Sequence, residues 1–156
     1  MTETKTILLG EWLLQKKFLT LNQLTLALEE QSLTGDFLGE ILIRKKYIRE
    51  EDLMKALSGQ FNIPYLDLGH QYIDPDLALR FSSGLILEHQ CLPIHETDYE
   101  ILFAMINPLD VFAISRAEKE ALPKKLKLVL VTPEEMKKAL KKYGRQLTDK
   151  RKRLFP

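Results

Sequence analysis

The feature that most constrains this chain is an internal duplication close to its N-terminus. Residues 8–31 align with residues 37–60 at a constant offset of 29, and ten of the 24 aligned positions are identical. Two unrelated helical segments share only about one or two positions at ordinary residue frequencies. We therefore expect the two copies to form the same local structure twice.

Each copy predicts a helix, a short turn and a second helix. In the first copy, Leu9 and Leu13 follow helical spacing, and Lys17-Phe18-Leu19 form the turn. Thr20 is followed three residues later by Gln23, a capping box that predicts the start of the second helix.

The second copy predicts the same pair of helices with different signals at their starts. Asp36 stands before its first helix and is expected to cap the free backbone N–H groups. The acidic run Glu50–Asp52 suits the positive end of the second helix dipole. Arg49 occupies the place of Thr20, so the capping box is not repeated.

The remainder of the chain predicts short strands and helices. Strands are expected at residues 91–95, 100–105 and 125–131, where short apolar runs lie between turn residues. Helices are expected to start at Asp74-Pro75 and at Asn107–Asp110. A third is expected to start with Thr132 as the cap of a capping box and Pro133 at the first helical position, and to end at Gly144.

These patterns together predict an α+β fold. A four-helix subdomain made of the two repeated helical pairs spans residues 1–60, and a small α/β subdomain with about three strands spans residues 61–144. Residues 145–156 are expected to form a basic, flexible tail.

Charge is unevenly distributed, although the formal net charge is only +1. Residues 132–156 contain nine basic residues against three acids, a local +6, which leaves about −5 for residues 1–131. We expect a solvated helix face and a disordered end to account for the basic run. Binding to nucleic acid or to an acidic membrane surface is the rival interpretation.

The composition predicts a soluble, cytoplasmic protein. No stretch has the apolar length needed to cross a bilayer, and residues 1–5 lack the basic flank and apolar core of a signal peptide. The single cysteine, Cys91, cannot form an internal disulfide, which fits a reducing compartment. It lies in a predicted buried strand, where we expect a structural thiol rather than a nucleophile.

No constellation in the sequence predicts an enzyme or a metal site. None of the seven glycines is followed by lysine, so the phosphate loop of an ATPase, Gly-x-x-x-x-Gly-Lys-Ser/Thr, is missing. The three histidines, His70, His89 and His95, lack metal-ligand spacing. We therefore expect a non-catalytic chain without a cofactor.

The repeated motif resembles that of a known family. Each copy reads Leu-Gly-x-x-Leu followed by Leu-x-x-Ala-Leu-x-x-Gln. This is similar to the N-terminal domain of type II secretion and type IV pilus assembly ATPases, in particular the MshE type that binds cyclic di-GMP. Residues 61–68 and 101–110 resemble later stretches of that domain, so the resemblance covers roughly residues 8–143.

The resemblance implies a ligand site on the two copies. Its residues would be Leu9, Gly10, Leu24, Leu28, Gln31, Leu38, Gly39, Leu53, Leu57 and Gln60. The family's opening arginines are replaced by Leu8 and Phe37, and its turn glycines by Lys17 and Lys46. Losing one arginine contact to an anion costs roughly 1.5–3 kcal/mol. We therefore expect cyclic di-GMP binding to be weakened by about two or more decades, or lost.

Each of these residues also has a purely structural explanation that needs no ligand. Gly10 and Gly39 fit either a close approach of a ligand or a close crossing of two helices. The leucine stripes are most simply helix core. Gln31 and Gln60 are equally well explained as surface residues at helix ends.

The favoured hypothesis is a protein-interaction or regulatory module that docks to secretion or pilus machinery. By resemblance, its partners would be inner-membrane platform proteins or an ATPase, which would hold it at the membrane periphery without insertion. The alternative is a cyclic di-GMP receptor that uses the two repeated motifs. Nucleic-acid binding through residues 137–153 is a third, less favoured hypothesis.

Overall fold

Both copies of the repeat fold as helix, turn, helix, as the sequence predicts. The computed structural model describes residues 9–71 and 73–155. In it the first copy forms α1 (Leu9–Gln15) and α2 (Leu21–Thr34), and the second forms α3 (Leu38–Arg44) and α4 (Glu50–Phe61). α1 packs mainly on α4, and α2 packs mainly on α3. The main helix contacts of the first unit are therefore made between the two copies and not within one copy.

Local signals explain how α2 begins but not how α3 begins. The Thr20 hydroxyl accepts from the Gln23 N–H at 3.2 Å, and the Gln23 side chain accepts from the Thr20 N–H at 3.1 Å. This confirms the capping box. The predicted cap at Asp36 is wrong, since the residue before α3 is Phe37 and no side chain caps that helix. Asp36 instead pairs with Arg44 at 3.3 Å, because its carboxylate is drawn to a guanidinium rather than to neutral N–H groups.

A second compact unit begins at Ile63, and its described part contains a three-stranded mixed sheet. β1 (Cys91–Glu96) pairs antiparallel with β2 (Glu100–Met105), with a register shift between Pro93 and His95. β2 pairs in parallel with β3 (Lys125–Leu130). The three strands confirm the predicted α+β class.

The helices of the second unit lie before, between and after these strands. They are a short 3₁₀ helix (Leu68–His70), α5 (Pro75–Leu79), α6 (Ser83–His89), α7 (Val111–Ala121) and α8 (Pro133–Leu154). α7 connects β2 to β3, as a parallel pair requires. α5, α6 and α8 contact β1, and α7 contacts β3.

Two helical features of this unit differ from the sequence expectation. α8 does not end at Gly144 but continues to Leu154, because the cost of one glycine, about 1 kcal/mol, is outweighed by the helix-forming residues around it. Residues 145–154 are thus helical, while their flexibility stays a prediction. α6 was not expected, since Ser82-Ser83-Gly84 is a turn-like start for a short helix.

Cys91 lies in the core of the second unit, as expected for a structural thiol. Its side chain is fully buried, and the thiol donates to the Leu85 carbonyl at 3.4 Å. Burial, followed by the nearby carboxylates of Asp110 and Glu120, raises the pKa of Cys91 to about 12. The thiol therefore stays protonated, and unreactive, at neutral pH.

Candidate functional site in the duplicated helices

In both copies a leucine of the second helix lies against the glycine of the first helix. A Cβ atom placed on Gly10 would lie 2.7 Å from Leu24 Cδ1, and one on Gly39 would lie 2.8 Å from Leu53 Cδ2. Both separations are under the 3.0 Å that real Cβ atoms essentially never show. Close crossing of the two helices is therefore sufficient to explain both glycines.

The lysines at the two turns adopt a backbone conformation that favours glycine. Lys17 has a φ of 62° and Lys46 a φ of 61°, both left-handed. The N–H of Phe18 and the N–H of Tyr47 each donate at 2.9 Å to the carbonyl five residues earlier. This is the Schellman arrangement, whose left-handed position is usually glycine. The geometry that suits glycine is thus present, although glycine is not.

Gln31 and Gln60 end the equivalent segments of the two copies. The Gln31 side-chain Nε2–H donates to the Asp36 backbone carbonyl at 3.1 Å, and the Gln31 backbone carbonyl accepts from the Gly35 N–H at 2.8 Å. Gln31 therefore fixes the connection between α2 and α3. Gln60 is half-buried in the last turn of α4.

Burial divides the ten residues of the implied ligand site into two groups. Seven are buried: Leu9, Gly10, Leu24, Leu38, Gly39, Leu53 and Leu57. Three are at least partly accessible: Leu28, Gln31 and Gln60. Leu28 is 44% exposed, whereas its repeat equivalent Leu57 is 0% exposed. Most of the motif is thus core, and little of it is open to a ligand.

Phe37 occupies one of the two positions where the resemblance implies arginine. It is half-buried, and its Cε1 lies 2.7 Å from the place that a Cβ of Gly39 would take, so the ring covers the start of α3. An aromatic ring here offers no guanidinium to a phosphate or guanine. The equivalent residue of the first copy, Leu8, lies outside the described residues.

A cluster of opposite charges joins α2 to α3. Arg44 Nη2 lies 2.9 Å from Glu30 Oε1, and Arg44 Nη1 lies 3.3 Å from Asp36 Oδ2. Lys45 Nζ lies 3.2 Å from Glu30 Oε2. The hydrogen bond from Arg44 lowers the pKa of Glu30, and the same bond raises the pKa of Arg44. Carboxylates therefore already offset these cations, which weakens their attraction for an anionic ligand.

Sequence reasoning missed a set of exposed leucines on α2. They are Leu21, 69% exposed, Leu26, 40%, Leu28, 44%, and Leu33, 87%, and together they are named the α2 leucine surface. Comparison of the two copies could have indicated that three of these leucines are exposed, because polar residues occupy their positions in the second copy. At the positions equivalent to Leu21, Leu26 and Leu33, the second copy has Glu50, Lys55 and Asn62.

Comparison with protein families decides the classification. The model of the MshEN domain matches residues 61–150, more than half of the chain. The chain belongs to the MshEN domain family. Its fold agrees with that of a solved MshE structure with cyclic di-GMP, with a TM-score of 0.76 at 24% identity over 87% of this chain and 98% of that one. The N-terminal domain of XpsE gives a TM-score of 0.67 at 19% identity over 83% and 89% of the two chains.

Two curated relatives of this MshEN chain are type IV pilus assembly ATPases named PilB. The protein from Myxococcus xanthus is 28% identical over 106 residues, which are 68% of this chain and 19% of that protein. The protein from Thermus thermophilus is 34% identical over 113 residues, which are 72% of this chain and 13% of that protein. The chain therefore spans less than a fifth of the length of these relatives.

Metal-ligating clusters and membrane-spanning helices are both missing from the part of the MshEN chain that the structure describes. It contains no group of three or more His, Cys, Asp or Glu residues placed to hold a metal ion. None of its helices combines the length and the apolar character that a bilayer span needs. His89, one of the three histidines, instead lies 2.8 Å from Asp110.

Proposed function

We propose that this MshEN chain is a non-catalytic protein-interaction module that docks to type II secretion or type IV pilus machinery. The relatives are pilus assembly ATPases, and the chain matches only a small share of their length. A solved match of the same fold is the N-terminal domain of XpsE. The partner would be a cytoplasmic part of the inner-membrane platform or an ATPase motor.

The α2 leucine surface carries this proposal. Its members form two pairs, Leu21 with Leu28 and Leu26 with Leu33; the members of each pair are seven residues apart and share one side of the helix, and the two pairs lie about 140° apart around it. Apolar surface left in water costs about 25 cal/mol per Å², and a protein partner that covers these leucines would recover that free energy. α4 forms the equivalent helix with the polar residues Glu50 and Lys55 at two of these positions and ends before the third, Asn62, so the leucines at those two positions are not needed to make the helix.

Exchanging the leucines for the residues of the second copy tests the proposal. The variant Leu21→Glu/Leu26→Lys/Leu33→Asn keeps the net charge unchanged. Calorimetry would measure its affinity for the purified cytoplasmic domain of a platform protein and for the purified ATPase motor of the same machine. We expect at least about a tenfold loss of affinity with an unchanged circular dichroism spectrum, because burial of one leucine side chain contributes about 1.5–3 kcal/mol.

A matched control makes the same exchanges at exposed apolar residues of the second unit. Val111, Phe112 and Leu122 are 70%, 86% and 71% exposed, and the control is Val111→Glu/Phe112→Lys/Leu122→Asn. It is expected to bind as the native chain does. A loss confined to this control would contradict the role of α2. Failure of the native chain to bind either partner would contradict the docking function itself.

Binding of cyclic di-GMP is the second candidate, and the likeness to MshE with that nucleotide favours it. Lys17 and Lys46 are exposed at the two turns and supply positive charge there. Lysine nevertheless lacks the planar fork with which arginine binds phosphate or guanine. Native affinity is therefore expected to be weak or absent.

Restoring one arginine tests this second candidate. The variant Phe37→Arg is expected to bind cyclic di-GMP at least about tenfold more tightly than the native chain in a calorimetric titration. Phe37→Lys is the matched control and should gain less, because it restores the charge without the fork. Absence of binding heat for both the native chain and Phe37→Arg at millimolar nucleotide would rule out the receptor hypothesis.

A further inference from the structure

The outer side of α8 carries a long basic face. Its cations follow helical spacing and are all exposed: Lys137, Lys138, Lys141, Lys142, Arg145 and Lys152. The residues buried on α8, Met136, Ala139 and Tyr143, lie on the opposite side. From residue 137 to residue 152 this face is about 23 Å long at 1.5 Å per residue. One acid, Asp149, and the nearby Glu134 interrupt it.

The last two turns of α8 differ from the turns before them. All residues from 148 to 155 are exposed, so this part of the helix extends beyond the buried core. It carries four consecutive cations, Lys150–Arg153, followed directly by Leu154 and Phe155. These two apolar residues are 63% and 79% exposed. A dense cationic run thus ends in an apolar pair that faces water.

The basic face is not neutralised by the acids of its own helix. Residues 137–153 contain nine cations and one acid, a net +8, while the whole chain has a net charge of +1. The remaining residues therefore carry about −7. Lys138 lies 3.6 Å from Glu134, but both side chains are largely exposed, and such pairs contribute little. Within the second unit, residues 63–136 hold 12 acids and 6 basic residues, a net −6, so α8 carries the positive charge of a unit that is otherwise acidic.

We propose that α8 binds the surface of an anionic phospholipid bilayer. The cationic face would lie along the acidic headgroups, and Leu154 and Phe155 would enter the interfacial region as an apolar anchor. This is a surface contact of the chain itself, independent of the docking to protein partners proposed above.

Nucleic acid, the other common polyanion, fits this helix less well. Proteins that bind single strands stack bases on exposed aromatic rings between their cations. Tyr143, the one aromatic residue among the cations of residues 137–153, is only 2% exposed, and the exposed ring of Phe155 follows the run and does not lie between its cations. The exposed apolar pair at the helix end has no role against a phosphate backbone but suits a lipid interface.

Sedimentation with vesicles tests the proposal on the full chain. We expect binding to phosphatidylcholine vesicles that contain phosphatidylglycerol, weaker binding at high salt, and no binding to phosphatidylcholine alone. Replacing Lys137, Lys141, Arg145 and Lys152 with glutamine should lower the partition coefficient by about a hundredfold or more. The change Leu154→Ser/Phe155→Ser should lower it by at least about fivefold.

The matched control removes four other exposed lysines: Lys55→Gln, Lys119→Gln, Lys125→Gln and Lys127→Gln. It has the same net charge as the α8 variant and should keep most of the native binding. Equal losses in the two variants would show a net-charge effect only and overturn the proposal. Absence of binding to the anionic vesicles at low salt would also overturn it, and so would tighter binding to a DNA duplex at the same salt.

Discussion

Lys17 and Lys46 hold the same unfavourable backbone conformation at the turns of the two copies. A left-handed residue with a side chain costs about 1–2 kcal/mol, because its Cβ crowds the following carbonyl oxygen. The flanking helices impose this conformation, with φ values of 62° and 61°. At both turns, therefore, the native residue opposes stability.

Replacing either lysine with glycine is expected to stabilise the chain. Glycine removes the steric cost but gives the unfolded chain more freedom, so the net gain should be about 0.5–1 kcal/mol per site. Urea unfolding of Lys17→Gly and Lys46→Gly measures it. Gly35→Ala is the opposite control: with a φ of 74° at Gly35, it should lose stability. A loss in both lysine variants would contradict the left-handed turns.

Glu135 is a carboxyl group whose ionisation opposes folding. Burial first, and then its hydrogen bond with Asp67, raise the pKa of Glu135 above its ordinary value of 4.5. The folded chain therefore keeps this proton to a higher pH than the unfolded chain does. The contribution to stability is complete below the unfolded pKa and is lost as the pH rises through the folded pKa.

Glu135→Gln is expected to remove this part of the pH dependence, because glutamine does not ionise. The free energy of unfolding of the variant, relative to the native chain, should rise as the pH increases from the ordinary pKa of 4.5 through the raised pKa of the folded state. Urea unfolding of both proteins across that range is the measurement. A difference between the two proteins that stays constant with pH would mean that Glu135 does not hold its proton in the folded state.

For single residues, the sequence identified the repeated positions more reliably than it predicted what each residue does in the fold. Aligning the copies identified Gly10 and Gly39, but only the facing leucine side chains explain why glycine is needed there. Leu28 and Leu57 occupy the same motif position, yet one is 44% exposed and the other 0%. A repeated motif cannot predict such a difference, because the two copies have different neighbours in the folded unit.

Two glycines show how an element's surroundings reverse the effect of one residue type. A Cβ on Gly39 would meet Leu53 at 2.8 Å, whereas a Cβ on Gly144 would have no atom within 4 Å. Gly144→Ala should therefore stabilise α8 by about 1 kcal/mol, the usual preference for alanine within a helix. Gly39→Ala should destabilise the chain by about 1–3 kcal/mol through overpacking. Thermal or urea unfolding measures both, and changes of the same sign would contradict these environments.

Starts of elements were easier to predict than their ends. Thr20 and Thr132 cap α2 and α8 as expected, since capping depends on residues within one turn; the Thr132 hydroxyl accepts from Glu135 N–H at 3.1 Å. The predicted end of α8 at Gly144 was wrong, because whether a helix continues depends on many residues and not on one glycine alone. α6 was missed because tertiary contact with β1 and α7 favours a helix that is short and starts with turn-forming residues.

For the whole molecule, the fold class was predictable because it follows from two repeating local patterns, a helical repeat and short strands between turns. The function is less accessible, since a docking surface depends on which side chains the fold leaves in water. The α2 leucine surface appears only when exposure is known. The same holds for α8, whose continuous basic face depends on the helix running past Gly144 to Leu154.

One comparison tests the central claim, that this MshEN chain acts by protein contact and not as a nucleotide receptor. The native chain would be titrated by calorimetry, at physiological salt, with the cytoplasmic domain of the platform protein and separately with cyclic di-GMP. The account predicts saturable binding at micromolar concentrations or below for the protein, and weak or undetectable binding for the nucleotide. Tight binding of cyclic di-GMP with no binding of the protein domain would contradict it.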